Sequence, residues 1–183
     1  MAYFRACARE ALKPFRAGRE NIANVEKLLS LCTKDVAHFI QVLGTPATVP
    51  ERPRDWYGTY WYAKTEGDPS PLDYAELGFQ DEDFKGEKNA PDSSKAGAET
   101  ECREMFFILR ETFYGHICDK TAAAMLARWL VGKGAIVLIN HGKEGEGQSR
   151  LGAKYGLGRG GRRVGYVIAL DKLESLYTEL TSD

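Results

Sequence analysis

The side chains with the most obvious chemical reach are three histidines, His38, His116 and His141, and four cysteines, Cys7, Cys32, Cys102 and Cys118. His116 and Cys118 stand two residues apart, so they diverge on a helix and meet only on a turn. A Cys–His nucleophile pair also needs an orienting group and an oxyanion site, and the sequence marks neither. A small hydrolase built on Cys118 or His116 therefore ranks behind a binding role. His38 flanks an apolar stripe, the usual setting of a hydrogen-bonded boundary histidine. The cysteines form no CxxC pair, so no zinc site, no other metal and no cofactor is expected. Reduced, mostly buried thiols fit a cytoplasmic setting. Two glycine-rich runs, GEGQSRLG and GLGRGG, lack the GxxxxGK[ST] pattern of a phosphate loop. The second begins GxG but leads into a strand, where a dinucleotide site needs a helix.

Charge is the more informative feature. The chain has 25 basic and 26 acidic side chains and a net charge of −1, which conceals a strong asymmetry. Residues 1–50 balance at +3 and residues 51–100 at −6. Between Lys120 and Arg163, nine basic residues (Lys120, Arg128, Lys133, Lys143, Arg150, Lys154, Arg159, Arg162, Arg163) face only Glu144 and Glu146, a balance of +7. Five of those nine fall in His141–Arg162, a 22-residue stretch that also holds eight glycines. Such a distribution bears on partners more than on fold, and a polyanion is the partner it favours. The acidic segment 66–83 offers an alternative. It would dock a basic partner surface, as in an inhibitor or adaptor, or fold back over the basic loop and mask it.

These residues need elements to hold them. With 183 residues, 43% of them hydrophobic and 11% aromatic, the chain is long and apolar enough to bury a real core. No apolar run reaches membrane-spanning length, and charges interrupt the N-terminal residues that a signal peptide would keep apolar. Helical spacing predicts helices over 2–15, over 21–43 (Ile22, Val25, Leu28, Leu29, Cys32, Val36, Phe39, Ile40) and over 99–114 (Cys102, Met105, Phe106, Leu109, Phe113). A further helix over 120–133 is capped by Asp119. Strands are expected at 56–64, 135–140 and 163–170. Asp171 with Glu174 predicts a capping box for a last helix over 172–180. Trp56, Tyr57, Tyr60, Trp61 and Tyr62 read as core aromatics ahead of a base-stacking surface. The tract 85–98 is almost devoid of apolar residues and marks a linker between an N-terminal region, 1–84, and a C-terminal domain, 99–183.

The order helix, turn, helix, strand, basic loop, strand, helix resembles a winged helix-turn-helix. TAAAMLARWLVGKGAIVLIN is similar to a recognition helix passing into a wing strand, and RRVGYVIALDKLESL is similar to the second wing strand. The resemblance covers about residues 100–183, with the remaining helix supplied from 21–43. It implies a mainly helical α+β protein with N-terminal helices and a C-terminal winged-helix-like unit carrying a two-stranded hairpin. It also implies duplex DNA, ahead of RNA, as the ligand. Base-facing roles would fall to Lys120, Thr121, Ala124, Arg128 and Lys133 on 119–133. Phosphate contacts would fall to Lys143, Arg150, Lys154, Arg159, Arg162 and Arg163 in the loop 141–163. The expected function is non-catalytic nucleic-acid binding, as an accessory subunit of a larger nucleoprotein assembly with other protein subunits as partners.

Overall fold

The computed structural model describes residues 19–42, 55–64, 68–72, 102–139, 147–157 and 162–182. The predicted helix 2–15 and the predicted linker 85–98 lie outside them. Six strands, β1 (Phe39–Gln41), β2 (Gly58–Lys64), β3 (Cys102–Leu109), β4 (Ile136–Val137), β5 (Ser149–Leu151) and β6 (Arg163–Ala169), form one mixed sheet. β1 and β2 are parallel, and every other pairing is antiparallel. β3 lies between β2 and β6. The far edge of β6 pairs with β4 at Val167 and Ile168 and with β5 at Arg163 to Gly165.

Among the described residues, four helices accompany the sheet: α1 (19–33), α2 (Arg110–His116), α3 (Lys120–Gly132) and α4 (Leu170–Thr181). All four contribute to a single apolar layer on one face. Leu28 of α1, Phe113 of α2, Leu126 and Leu130 of α3 and Leu173 of α4 join Phe106, Ile108, Tyr166 and Ile168 of the sheet there. The opposite face is covered by Trp61, Met105, Phe107, Val167, Leu151, Tyr155 and Leu157. Alternation along β3 and β6 explains this split, because successive strand residues point to opposite faces. Burial of each large apolar side chain contributes about 1.5–3 kcal/mol relative to exposure.

This architecture corrects the winged-helix expectation. A wing is a peripheral hairpin, whereas β6 is an interior strand with partners on both edges. Nor is α3 a projecting recognition helix, since Ala123, Leu126, Ala127 and Leu130 are buried in the helical layer.

Three local expectations change with it. Within the expected helix 99–114, the described residues 102–114 are a central strand running into a short helix. Met105, Phe106, Phe107 and Ile108 are all at most 1% exposed, because both sheet faces are covered. A strand buried on both faces reads as an unbroken apolar run, and its i, i+3, i+4 matches are incidental. The helix expected over 21–43 ends at 33; Val36–His38 is a 3-10 turn and Phe39–Gln41 is the edge strand β1. Asp171 makes no cap: α4 starts one residue earlier, and Asp171 Oδ1 sits 3.1 Å from Arg103 Nε on β3. Asp119 does cap α3, its Oδ1 accepting from Thr121 N (2.8 Å) and Ala122 N (2.9 Å). Among the described residues, no helix is long and apolar enough to cross a membrane.

Candidate functional site

The loop between β4 and β6 is the most basic part of the chain, and its described portion is folded. Ser149 and Leu151 are fully buried, which anchors β5 and leaves Arg150 between them exposed. Ser149 Oγ accepts from Ile139 N at 3.0 Å, tying β5 to the residues just beyond β4. Gln148, just before β5, reaches both Tyr114 Oη and Tyr166 Oη at 3.4 Å on the helical face. After β5, Ala153–Tyr155 makes one 3-10 turn closed by Gly156 at φ 72°. That left-handed conformation suits glycine, and a Cβ there would also collide with Val42. Tyr155 is buried against Trp61, ring centroids 5.0 Å apart, so its neighbour Lys154 is turned outward.

A second segment comes to meet this turn. Trp61 Nε1 donates to Pro69 O at 2.9 Å and Leu72 N to Tyr62 O at 3.0 Å, which fastens residues 68–72 beside β2. Asp68 Oδ1 accepts from Ser70 N (3.1 Å) and Ser70 Oγ (2.7 Å), a local turn of the kind Asp favours. Lys154 Nζ donates to Ser70 Oγ at 2.8 Å. The Ser70 hydroxyl above all, then its backbone N–H and the nearby Lys154 ammonium, hold the Asp68 carboxyl below its ordinary value. Asp68 is therefore ionised at neutral pH.

Between these segments lies a cavity of about 640 Å³. Arg150, Lys154 and Arg162 line it together with Asp68 and Ser70, and Pro69, Leu138 and Ile139 contribute to its wall. Three cations thus face one carboxylate. Among the described residues, neither Arg150 nor Arg162 pairs with a carboxylate of the protein itself. Both arginine side chains remain exposed.

Three of the eleven residues expected to contact nucleic acid therefore share one cavity, and Ala124 on α3 is not among them. Arg163 comes directly after Arg162 and is exposed, but it does not line the cavity. Lys143 and Arg159 lie outside the described residues. Lys120, Thr121, Arg128 and Lys133 are exposed on or just beyond α3, the helix packed in the other layer, and they take no part in the cavity. Lys133 Nζ instead sits 3.1 Å from Glu179 Oε1 of α4. Asp68 and Ser70, absent from the expected contact residues, belong to the acidic segment 66–83 for which folding back over the basic loop was one expectation. Lys154, the partner of Ser70, lies 84 positions away along the chain. Of the acidic segment 66–83, only 68–72 is described, and that part does contact the basic loop through Ser70 and Lys154.

The chain matches no protein family, no curated protein and no solved structure.

The Cys–His pair offers little for catalysis. Burial first, then Asp119, raise the Cys118 thiol against a smaller opposing effect of Lys27, which disfavours the nucleophilic thiolate. The His116 ring lies 4.7 Å from Tyr57, which also stacks with His38 at 4.5 Å and meets Phe39 edge-on at 6.1 Å. His38 Nδ1 is 2.9 Å from Asp55 O. These imidazoles pack on a tyrosine, and His141 lies outside the described residues. Among the described residues, no group of three or more His, Cys, Asp or Glu is arranged to hold a metal ion. Of the aromatics 56–62, Trp56, Tyr57 and Tyr60 pack partly buried against the core, Tyr60 stacked on Phe106 at 5.4 Å, and Trp61 is fully buried.

Proposed function

We propose that the protein binds nucleic acid without catalysing a reaction on it, as a cytoplasmic accessory factor of a larger nucleoprotein assembly. One observation carries the reading: Arg150, Lys154 and Arg162 line a single cavity. Guanidinium groups present forked donors that match phosphate oxygens two at a time, and an ammonium adds a compact positive charge. Such contacts hold a phosphate chain and carry no base code. Sequence preference, if the assembly has any, then comes from another component. With α3 packed in the helical layer and not projecting toward a major groove, the ligand is nucleic acid as a class.

Fluorescence-anisotropy titrations of single- and double-stranded DNA and RNA, repeated over a range of salt concentrations, test this. The expected result is micromolar to submillimolar binding at low salt that weakens steeply as salt rises, as counterion release requires. Absence of binding to all four ligands at low salt overturns the proposal.

A further inference from the structure

We propose that the cavity receives a terminal phosphomonoester, as found at a nucleic-acid strand end or on a free nucleotide, in preference to an internal phosphodiester. The inference rests on the nucleic-acid reading and narrows it to one chemical group. Arg150, Lys154 and Arg162 against Asp68 leave a formal charge of +2 on the cavity lining. An internal phosphodiester carries one negative charge, whereas a phosphomonoester carries about 1.5 to 2 at neutral pH. The charge of the site matches the second ligand.

Shape and placement agree with charge. The concavity, about 640 Å³ and open to solvent on one side, has room for one small group. A surface that tracks a continuous strand spreads its cations along a groove; here three of them serve one concavity. Asp68, ionised on the same lining, repels any phosphate that approaches it. A strand running through the cavity would have to pass charged phosphates on either side of the bound one. A terminal group leaves one of those directions empty, and its uncharged sugar or base is free to lie toward Pro69, Leu138 and Ile139. Lys154 is already held over the site by Ser70, so little of its side-chain freedom remains to be lost on binding.

Anisotropy titrations with a short oligonucleotide carrying an internal fluorophore test the inference, using 5′-phosphate, 3′-phosphate and hydroxyl-only ends. A phosphorylated end is expected to bind about tenfold more tightly than the hydroxyl-only strand, the gain of one well-made charged contact. The advantage should shrink below about pH 6, where the monoester loses its second charge. Arg150→Ala and Arg162→Ala should abolish it, and Asp68→Asn should increase it, a gain that misfolding cannot imitate. Unlabelled adenosine 5′-monophosphate distinguishes the two sources: competition at comparable concentration assigns the site to a free nucleotide, and weak competition assigns it to a strand end. Equal binding of all three oligonucleotides overturns the inference and leaves the nucleic-acid reading standing. Competition by inorganic phosphate as strong as that of adenosine monophosphate also overturns it, because the nucleotide would then contribute nothing. Failure of every oligonucleotide to bind overturns both.

Discussion

Lys154 Nζ donates to Ser70 Oγ at 2.8 Å, a contact between residues 84 positions apart. It joins the start of the acidic tract to the most basic loop, and the same hydroxyl donates to Asp68 Oδ1 at 2.7 Å. One serine therefore positions both signs of charge in the cavity.

Removing that hydroxyl should release both partners. In Ser70→Ala the Asp68 carboxyl loses the contact that does most to depress its pKa, so its titration should move up toward the ordinary aspartate value. A carboxyl whose folded-state pKa is depressed adds stability above its unfolded pKa, and that stability is lost as pH falls through the folded value. The variant should therefore lose less stability on acidification than the parent. Carboxyl carbon NMR titration of Asp68 checks the shift, and unchanged titration contradicts the assignment.

Glu104 presents the opposite case. Burial first, and then the facing carboxylate of Glu174 on α4, raise its pKa. Tyr60 and Tyr62 on β2 and Cys32 on α1 feel its charge in turn, and Tyr62 is pushed up to about 12 by burial with Glu104 next. For a raised carboxyl the sign reverses: its contribution to stability is present below the unfolded pKa and lost as pH rises through the folded one. Glu104→Gln should accordingly raise the urea midpoint at neutral pH and have little effect near pH 4, by about 1 kcal/mol or less for a half-buried group. A lowered midpoint at neutral pH would contradict this.

The close approach of β3 and β6 depends on Gly165. A Cβ at that position would strike the Ile108 carbonyl oxygen and the ring of Phe107, neither of which has room to yield in a fully buried strand. Gly165→Ala should cost about 2–3 kcal/mol, the upper range for overpacking. Chemical denaturation measures it, and a cost below about 0.5 kcal/mol would show that the strands can separate.

How much of this was legible in the chain depends on how local each cause is. Asp119 and the Ala-rich run behind it mark α3 because a cap and a helical period are both short-range signals. Arg163–Ala169 was legible as a strand from its apolar, largely β-branched and aromatic run. β3 escapes a local reading because Met105 to Ile108 are buried on both faces, and a continuous apolar run has no strand period to detect. Val36, Phe39 and Ile40 extend a helical stripe by coincidence, since pairing with Gly58 to Tyr60 decides the conformation of β1 and lies outside any local window. The site divides in the same way. The cations were visible as composition, and Arg150, Lys154 and Arg162 do come together. Their convergence with Asp68 and Ser70 arises from Trp61 holding Pro69 and packing on Tyr155, contacts that no spacing encodes.

The layer separation predicts different outcomes for the two groups of cations. Lys120→Ala and Lys133→Ala alter α3 and its C-terminal end, and should leave oligonucleotide affinity within about twofold, a change of under 0.5 kcal/mol. Lys133 pairs with exposed Glu179, so its loss should also cost no more than about 1 kcal/mol of stability. An affinity loss from these variants equal to that from Arg162→Ala would move the interface to the helical face.

The most direct test of the central claim is the salt dependence of oligonucleotide binding in the parent and in an Arg150→Ala, Lys154→Ala, Arg162→Ala variant with intact circular dichroism. The account predicts that the slope of log affinity against log salt falls by about 0.7 to 0.9 for each phosphate contact removed, with affinity falling alongside it. A variant that binds as tightly as the parent, with the same slope, would place the phosphate contacts elsewhere.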